Sequence, residues 1–402
     1  MIPKRILLIL FIACGLHFSA TRLAFAWSVL PDSSAGRVSL LFTGDIMGHG
    51  AQITAAYNKE TGNYDYDSCF MFIKPFLEQA DFAIGNLEVT LAGPPYKGYP
   101  QFSSPDGLAV ALKNSGFDVL VTANNHAADR GFKGANRTLR ILDSLAFLHT
   151  GTFRDSAARD SMVPLLLEKN GIRIALLNYT YGINGLPMPL PVIVAHIDTA
   201  RMAMEIQKSK DLQADIIIAE LHWGNEYERV PNAVQKKLAD WLFSKGVMAV
   251  IGSHPHVIQP ILDESFEIRS LVIGPGLNQN YGILPETETE TDTSPNRLVV
   301  WSMGNLVSNQ PERYRNGGIM VSLDLVKDTF TTIANVSYVP VFVYRRNTAG
   351  NRHFFLIPPE DWFSGRINFP IQAPEQVLMK QFLEDTRIHL SPGRLKTLPA
   401  IP

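Results

Sequence analysis

Ile251-Gly252-Ser253-His254-Pro255-His256-Val257 closes an apolar run, Val247-Met248-Ala249-Val250-Ile251, with a glycine and then two histidines two positions apart. The run has the length and composition of a buried strand. Pro255 lacks an amide hydrogen and disfavours helix at His254, so the reading continues the strand in extended form. Residues i and i+2 of an extended chain project to one side. Two imidazoles leaving a strand end together suit one metal ion, or two adjacent ions. A polar loop with two unrelated histidines is the alternative, and the rest of the chain has to decide.

The same pattern recurs upstream. Val38-Ser39-Leu40-Leu41-Phe42-Thr43-Gly44 is a near-continuous apolar run ending on Asp45, the pattern of a strand covered on both faces. Asp81-Phe82-Ala83-Ile84-Gly85 ends on Asn86-Leu87-Glu88, and Phe117-Asp118-Val119-Leu120-Val121-Thr122-Ala123 delivers Asn124-Asn125-His126-Ala127-Ala128-Asp129. Residues 215–219 lead to Glu220-Leu221-His222-Trp223. Helical spacing lies between the strands, over 70–80, 106–115, 134–145, 200–211 and 230–245. A hairpin is expected at 163–167 and 172–177, turned at Asn170-Gly171. After residue 297 the chain reads as strands (298–301, 318–325, 330–343 with Pro340 interrupting, 353–357) and a helix at 374–385. Strands alternating with helices specify an α/β layered domain. Each cluster alone reads as a turn. Their shared placement beyond strand C-termini, where open sheets put ligands, reads as a site. His49 could reach the same region or stay in a solvated loop.

Of 402 residues, 46% are apolar, enough for a sizeable core. A formal charge of -2 excludes the broad basic field of nucleic-acid binders. Lys4 and Arg5 precede an apolar run, and Ala24-Phe25-Ala26 has the small-residue spacing of a cleavage site, so residues 1–26 read as a secretory signal removed before Trp27. A lipoprotein signal ending at Cys14 is the competing reading, and an uncleaved anchor the third. Cleavage removes Lys4, Arg5 and Arg22 but no acid, which takes the charge from -2 to -5. It leaves Cys69 as the one thiol, so no internal disulfide can form. The expected organisation is a signal at 1–26, a domain over 38–345 with a mobile acidic loop at 284–296, and a C-terminal extension over 346–402.

Imidazole, carboxylate and amide-oxygen donors together suit Mn, Fe, Zn or Ni rather than Ca or Mg alone. At this point the motifs carry a resemblance. Gly44-Asp45-Ile46-Met47, Asn86-Leu87-Glu88, Asn124-Asn125-His126, His222-Trp223-Gly224-Asn225-Glu226, Gly252-Ser253-His254-Pro255-His256 and Ser302-Met303-Gly304-Asn305 occur in one order. Together, over roughly residues 38–310, they resemble the CapA family of capsule and poly-γ-glutamate synthesis proteins, which is similar in fold to calcineurin-like metallophosphoesterases. The resemblance implies a layered sandwich of two central mixed sheets flanked by helices. It also implies a divalent metal (Mn, Fe or Zn, one or two ions) held by Asp45, Asn86, Glu88, Asn125, His222, His254 and His256. His126 would protonate a leaving group and Asp129 would orient its imidazole.

Two positions depart from the catalytic phosphoesterases. Met47 stands where they have a histidine, and Asn86 where they have a bridging aspartate. A thioether and a neutral amide serve hard cations poorly. The centre is then mononuclear, rebuilt around Glu88 or His49, or absent. Three functions follow. The first is an exported envelope protein in synthesis or export of an anionic polymer, working with the polymer or its synthesis machinery. Lys133, Arg137, Arg140, Arg313 and Arg315 are its candidate cations. The second is a metal-dependent hydrolase of a phosphoester or γ-glutamyl amide, and the third a metal-free polymer-binding scaffold. Nucleic acid is excluded as a partner, and a membrane enters only through an uncleaved or lipidated N-terminus.

Overall fold

The two runs that read most clearly as buried strands become the centres of two facing sheets. The computed structural model describes residues 36–263, 297–348, 351–390 and 396–397. The expected signal segment with Cys14, and the acidic stretch 284–296, lie outside the described residues. The larger sheet has nine strands, seven of them in the order Asn351–Ile357, Thr331–Thr348, Gly317–Lys327, Gly36–Ile46, Phe82–Leu87, Val119–Val121, Leu148–Thr150. Asn305–Val307 pairs with Gly36–Ile46, and Lys396–Thr397 with Thr331–Thr348. The smaller sheet runs Ile261–Asp263, Leu298–Val300, Ala249–Ser253, Ile216–His222, Ile172–Thr180, Leu165–Lys169. Both sheets are mixed: parallel where helices cross over, antiparallel toward the edges.

Alternation along each strand explains the layers. Val38, Leu40 and Phe42 face inward and meet Ile174, Leu176, Ile216, Ile218 and Ile251 of the other sheet in one cluster. Leu41, Ala83 and Leu120 face outward, where the helices Asp67–Phe70, Lys74–Gln79 and Asp106–Asn114 cover them. On the opposite side Ile217, Ala219 and Val250 pack beneath the helices Thr199–Asp211 and Ala233–Ser244. Both faces of the central strands are therefore buried, as their unbroken apolar runs required. Two mixed sheets flanked by helices is the architecture expected.

Some elements differ from expectation for identifiable reasons. The helix read over 70–80 is two short helices parted at Met71–Ile73, because Pro75 has no amide hydrogen to bond back four residues. Pro340 lies inside a continuous strand rather than interrupting it. Its neighbour on one side is Ile319; on the other, Asn351–Ile357 stops pairing at Phe342 and Lys396–Thr397 at Tyr338, so Pro340 falls between two short partners. The boundary expected at residue 345 falls within the Thr331–Thr348 strand. Beyond it, Asn351–Ile357 extends the larger sheet, and the helix Ala373–Leu390 sets Met379, Phe382 and Leu390 into the central core. No helix of the described residues is long and apolar enough to cross a membrane.

Candidate metal centre

Parallel pairing brings the motif-bearing strand ends into register. Asp45 lies opposite Asn86 on one side and Asn305 on the other, while His222 lies opposite Ser253 and Thr180. The register of Gly36–Ile46 shifts beside Asp45 against both neighbours, a bulge of the kind that re-aims a side chain. Gly44 permits this. A Cβ there would stand 2.1 Å from the Gly304 carbonyl oxygen, and that oxygen accepts the Asp45 amide at 2.9 Å.

The two closing histidines do not continue the strand. Ala249–Ser253 ends before them, and His254 and His256 have φ of 97° and 56°. The extended geometry expected here is replaced by a tight left-handed turn, which costs about 1–3 kcal/mol per residue. Asp45 helps to hold it by accepting the His254 amide, at 3.4 and 3.3 Å to its two oxygens. The imidazoles still converge, their centroids 6.1 Å apart, but each joins a different group. Ligand atoms of Glu88, His222 and His254 lie within 4.8 Å of one another, as do those of Asp45, Glu88 and His256. Glu88 belongs to both. None of the nine expected site residues is more than 4% exposed.

Glu88 is the centre of this arrangement. His222 Nε2 stands 3.4 Å and His256 Nε2 3.7 Å from its Oε1. Neither of its oxygens has a hydrogen-bond partner among the described residues, and neither does His254 Nδ1. Burial first, and the Asp45 charge next, hold the Glu88 carboxyl well above its usual range. Burial and the neighbouring imidazoles press His222 well down and His254 down to about 3. Two fully buried acids beside two imidazoles whose charged form burial disfavours are costly without a counter-charge. A divalent cation would supply that charge, and this donor set fits one.

The supporting contacts orient the ligands. His222 Nδ1 meets Ser253 Oγ at 2.9 Å, and Ser253 Oγ donates to the Leu221 carbonyl at 3.4 Å. His222 Nδ1 also lies 3.3 Å from Asn86 Nδ2, and Nε2 faces Glu88 and Asn125 Oδ1, the latter at 2.9 Å. His256 Nδ1 stands 3.0 Å from Asn305 Oδ1 and 3.1 Å from Asp45 Oδ2, which turns its Nε2 toward Glu88. Beside these, His126 Nδ1 meets Asp129 Oδ2 at 2.8 Å, and the Phe102 amide donates to the same oxygen at 2.7 Å. The Phe102 ring packs edge-on against His126 at 4.6 Å.

Three further positions are placed by their contacts. Asn86, expected among the ligands, donates from Nδ2 to Asp45 Oδ1 at 2.9 Å while Asn124 occupies its oxygen at 3.1 Å. It positions Asp45, and the shared carboxylate is Glu88. Met47 is buried in the apolar cluster with Leu87 and Phe102, so no thioether meets a cation. His49 precedes the helix Gly50–Ala56 and accepts the Asn309 amide at 3.2 Å, outside both groups. Sequence reasoning assigned no role to Ser253 or Asn305. Their signal was membership of the quoted motifs: Ser253 precedes His254, and Asn305 closes Ser302-Met303-Gly304-Asn305.

With this geometry in hand, comparison with known proteins decides the family. The family model described as bacterial capsule synthesis protein PGA_cap matches residues 39–310. The chain belongs to that family. Among curated PGA_cap relatives, the capsule biosynthesis protein CapA of Bacillus anthracis is 27% identical over 234 residues, covering 56% of this chain and 55% of that protein. The PGA biosynthesis protein CapA of Bacillus subtilis is 29% identical over 245 residues, covering 56% and 59%. The chain thus spans little more than half the length of the curated relatives it matches. Among solved structures, the calcineurin-like phosphoesterase YfkN of Bacillus subtilis is similar at 15% identity and a TM-score of 0.42, covering 88% of this chain and 98% of that one. The NAD nucleotidase of Haemophilus influenzae is similar at 13% identity and a TM-score of 0.44, covering 87% and 63%.

Proposed function

We propose that this PGA_cap protein is exported and acts in the synthesis or export of an anionic, poly-γ-glutamate-type envelope polymer, through a buried centre of one or two divalent cations. The observation that carries the centre is Glu88, a fully buried carboxylate with no donor of its own, shared by two groups of imidazole and carboxylate ligands. The polymer class rests on family membership. Export rests on residues 1–26, read as a signal that delivers the chain to the periplasm or envelope, with lipidation at Cys14 as the alternative.

Asp45 and His256 would hold one side of the centre, His222 and His254 the other, and Glu88, common to both groups, would serve each. Mn, Fe and Zn suit such mixed donors. When bound, the cation supplies Lewis acidity toward a carboxylate, phosphate or amide oxygen. Asn125 Oδ1 faces the same space beside His222 Nε2. A second reading, metal-dependent hydrolysis of a phosphoester or γ-glutamyl amide, has its own support in His126. Asp129 fixes that imidazole through Nδ1, which leaves Nε2 as the nitrogen able to pass a proton to a leaving group.

Two experiments test the proposal. Elemental analysis of mature protein purified without added metal should give stoichiometric transition metal, lost on replacing both His254 and His256 by alanine; metal-free wild type sinks the centre and leaves a binding scaffold. Deleting the gene should reduce the envelope polymer of its source cell, and unchanged polymer sinks the assigned role.

A further inference from the structure

The five cations that the sequence offered for binding a polyanion are not equivalent. Arg137 donates to both oxygens of Asp106 at 2.6 and 2.7 Å, and Arg313 to both oxygens of Asp385 at 2.8 and 2.7 Å. Lys133 and Arg140 line a recess of about 420 Å³ on the helix Gly131–Ser144, with no ligand of the centre among its lining residues. Arg315 is different. Its guanidinium lies 4.3 Å from the centre of the Tyr227 ring, and that ring stands 6.3 Å from His256.

The place is built rather than incidental. Tyr227 has φ of 68°, and its amide donates to the Pro255 carbonyl at 2.8 Å, inside the histidine turn itself. Asn305, which orients His256, also donates to the Arg315 carbonyl at 2.9 Å and to Gln310 Oε1 at 2.8 Å. Gln310 in turn reaches the Tyr227 hydroxyl at 3.4 Å. Tyr181 stands at the other side, its amide bonded to the His222 carbonyl at 2.9 Å and its ring 4.6 Å from His254. The ligands of the centre are at most 4% exposed, whereas Tyr181 and Tyr227 beside them are 48% and 43% exposed. Two solvent-facing rings, each tied by its backbone to a ligand-bearing segment, therefore frame the approach to the cations, and Arg315 lies on one of them.

From this we infer that Arg315, seated on Tyr227, is a substrate-binding residue that receives a carboxylate of a γ-glutamyl chain whose neighbouring oxygens lie at the cation centre. The inference rests on the function proposed above. Glu312, 3.4 Å from the guanidinium and 52% exposed at its side chain, is the group the substrate carboxylate displaces. A surface pair of that kind holds its partner weakly, and the guanidinium, which also hydrogen-bonds the Tyr227 side chain, has further N–H donors for a carboxylate.

The test is titration of the full chain, loaded with Mn or Zn, with a synthetic γ-glutamyl oligomer and separately with inorganic phosphate. Arg315→Ala should weaken oligomer binding about tenfold or more, the size expected for one charge-assisted contact, with metal content unchanged. Arg315→Lys should recover part of the loss. Tyr227→Ala should weaken binding, and Tyr227→Phe, which keeps the platform but loses the hydroxyl contacts, should weaken it less. A Lys133→Ala, Arg140→Ala double variant should bind as wild type. Undiminished binding by Arg315→Ala, or a loss carried by the double variant instead, overturns the assignment while the proposed function stands. Binding of phosphate alone, with no oligomer binding to metal-loaded wild type, overturns both.

Discussion

At the scale of single residues, Glu88 carries the most consequence. It alone belongs to both ligand groups, so replacing it by the isosteric glutamine should lower cation affinity by about a hundredfold or more, beyond the effect typical of a supporting residue; equilibrium dialysis against Mn or Zn checks this. Glu220 gives a cleaner pH test. Burial raises its carboxyl to about 8, against weaker opposition from hydrogen bonds to Ser253 and Asn178. The folded chain therefore keeps a proton that the unfolded chain releases near 4.5. Stability from this group is full below about pH 4.5 and declines as pH rises to about 8. Glu220→Gln should flatten that part of the pH profile of thermal unfolding, and an unchanged slope counts against the buried acid as its source. Sequence offered Glu88 in place of Asn86 on chemical grounds, a neutral amide being a weak ligand, but could not choose between Glu88 and His49, which lies outside both groups. Side-chain placement in the fold chose between them.

At the scale of elements, the site depends on how closely two strand ends approach. Gly44 and the Gly304 carbonyl leave no room for a methyl group, since the nearest atoms belong to backbone that cannot swing aside. Gly44→Ala should cost about 1–3 kcal/mol in denaturant unfolding, as overpacking does. It should also weaken metal binding, because Asp45 is the next residue and its amide bonds to that carbonyl. Retained metal with lowered stability would separate the packing effect from the site. The strands were legible here because unbroken apolar runs have few readings, and the hairpin at Asn170-Gly171 likewise. The turn at His254 was not. Proline there argued for extended backbone, and contacts from a distant strand, Asp45 among them, favour the left-handed turn instead.

At the scale of the whole molecule, the final stretch of chain is structural. Phe382 is 4% exposed and packs 5.9 Å from Phe342 in the central cluster. Phe382→Ala should cost about 3–5 kcal/mol, read as a lower midpoint in chemical denaturation. Ending the chain at residue 345 should abolish cooperative unfolding, because it cuts the Thr331–Thr348 strand and uncovers the core beneath the helix Ala373–Leu390. A truncated chain with an unchanged midpoint would make residues 346–402 a separable extension after all. What the sequence by itself determined is the layered α/β plan and the set of strand ends that carry chemistry, because burial of apolar runs and the period of side chains are local properties of the chain. What only the tertiary structure decided is which of those side chains converge into groups able to hold a cation, which one belongs to both groups, and which arginine lies beside them. Those outcomes depend on register between strands distant in sequence, and a shift of one residue there turns every side chain to the other face.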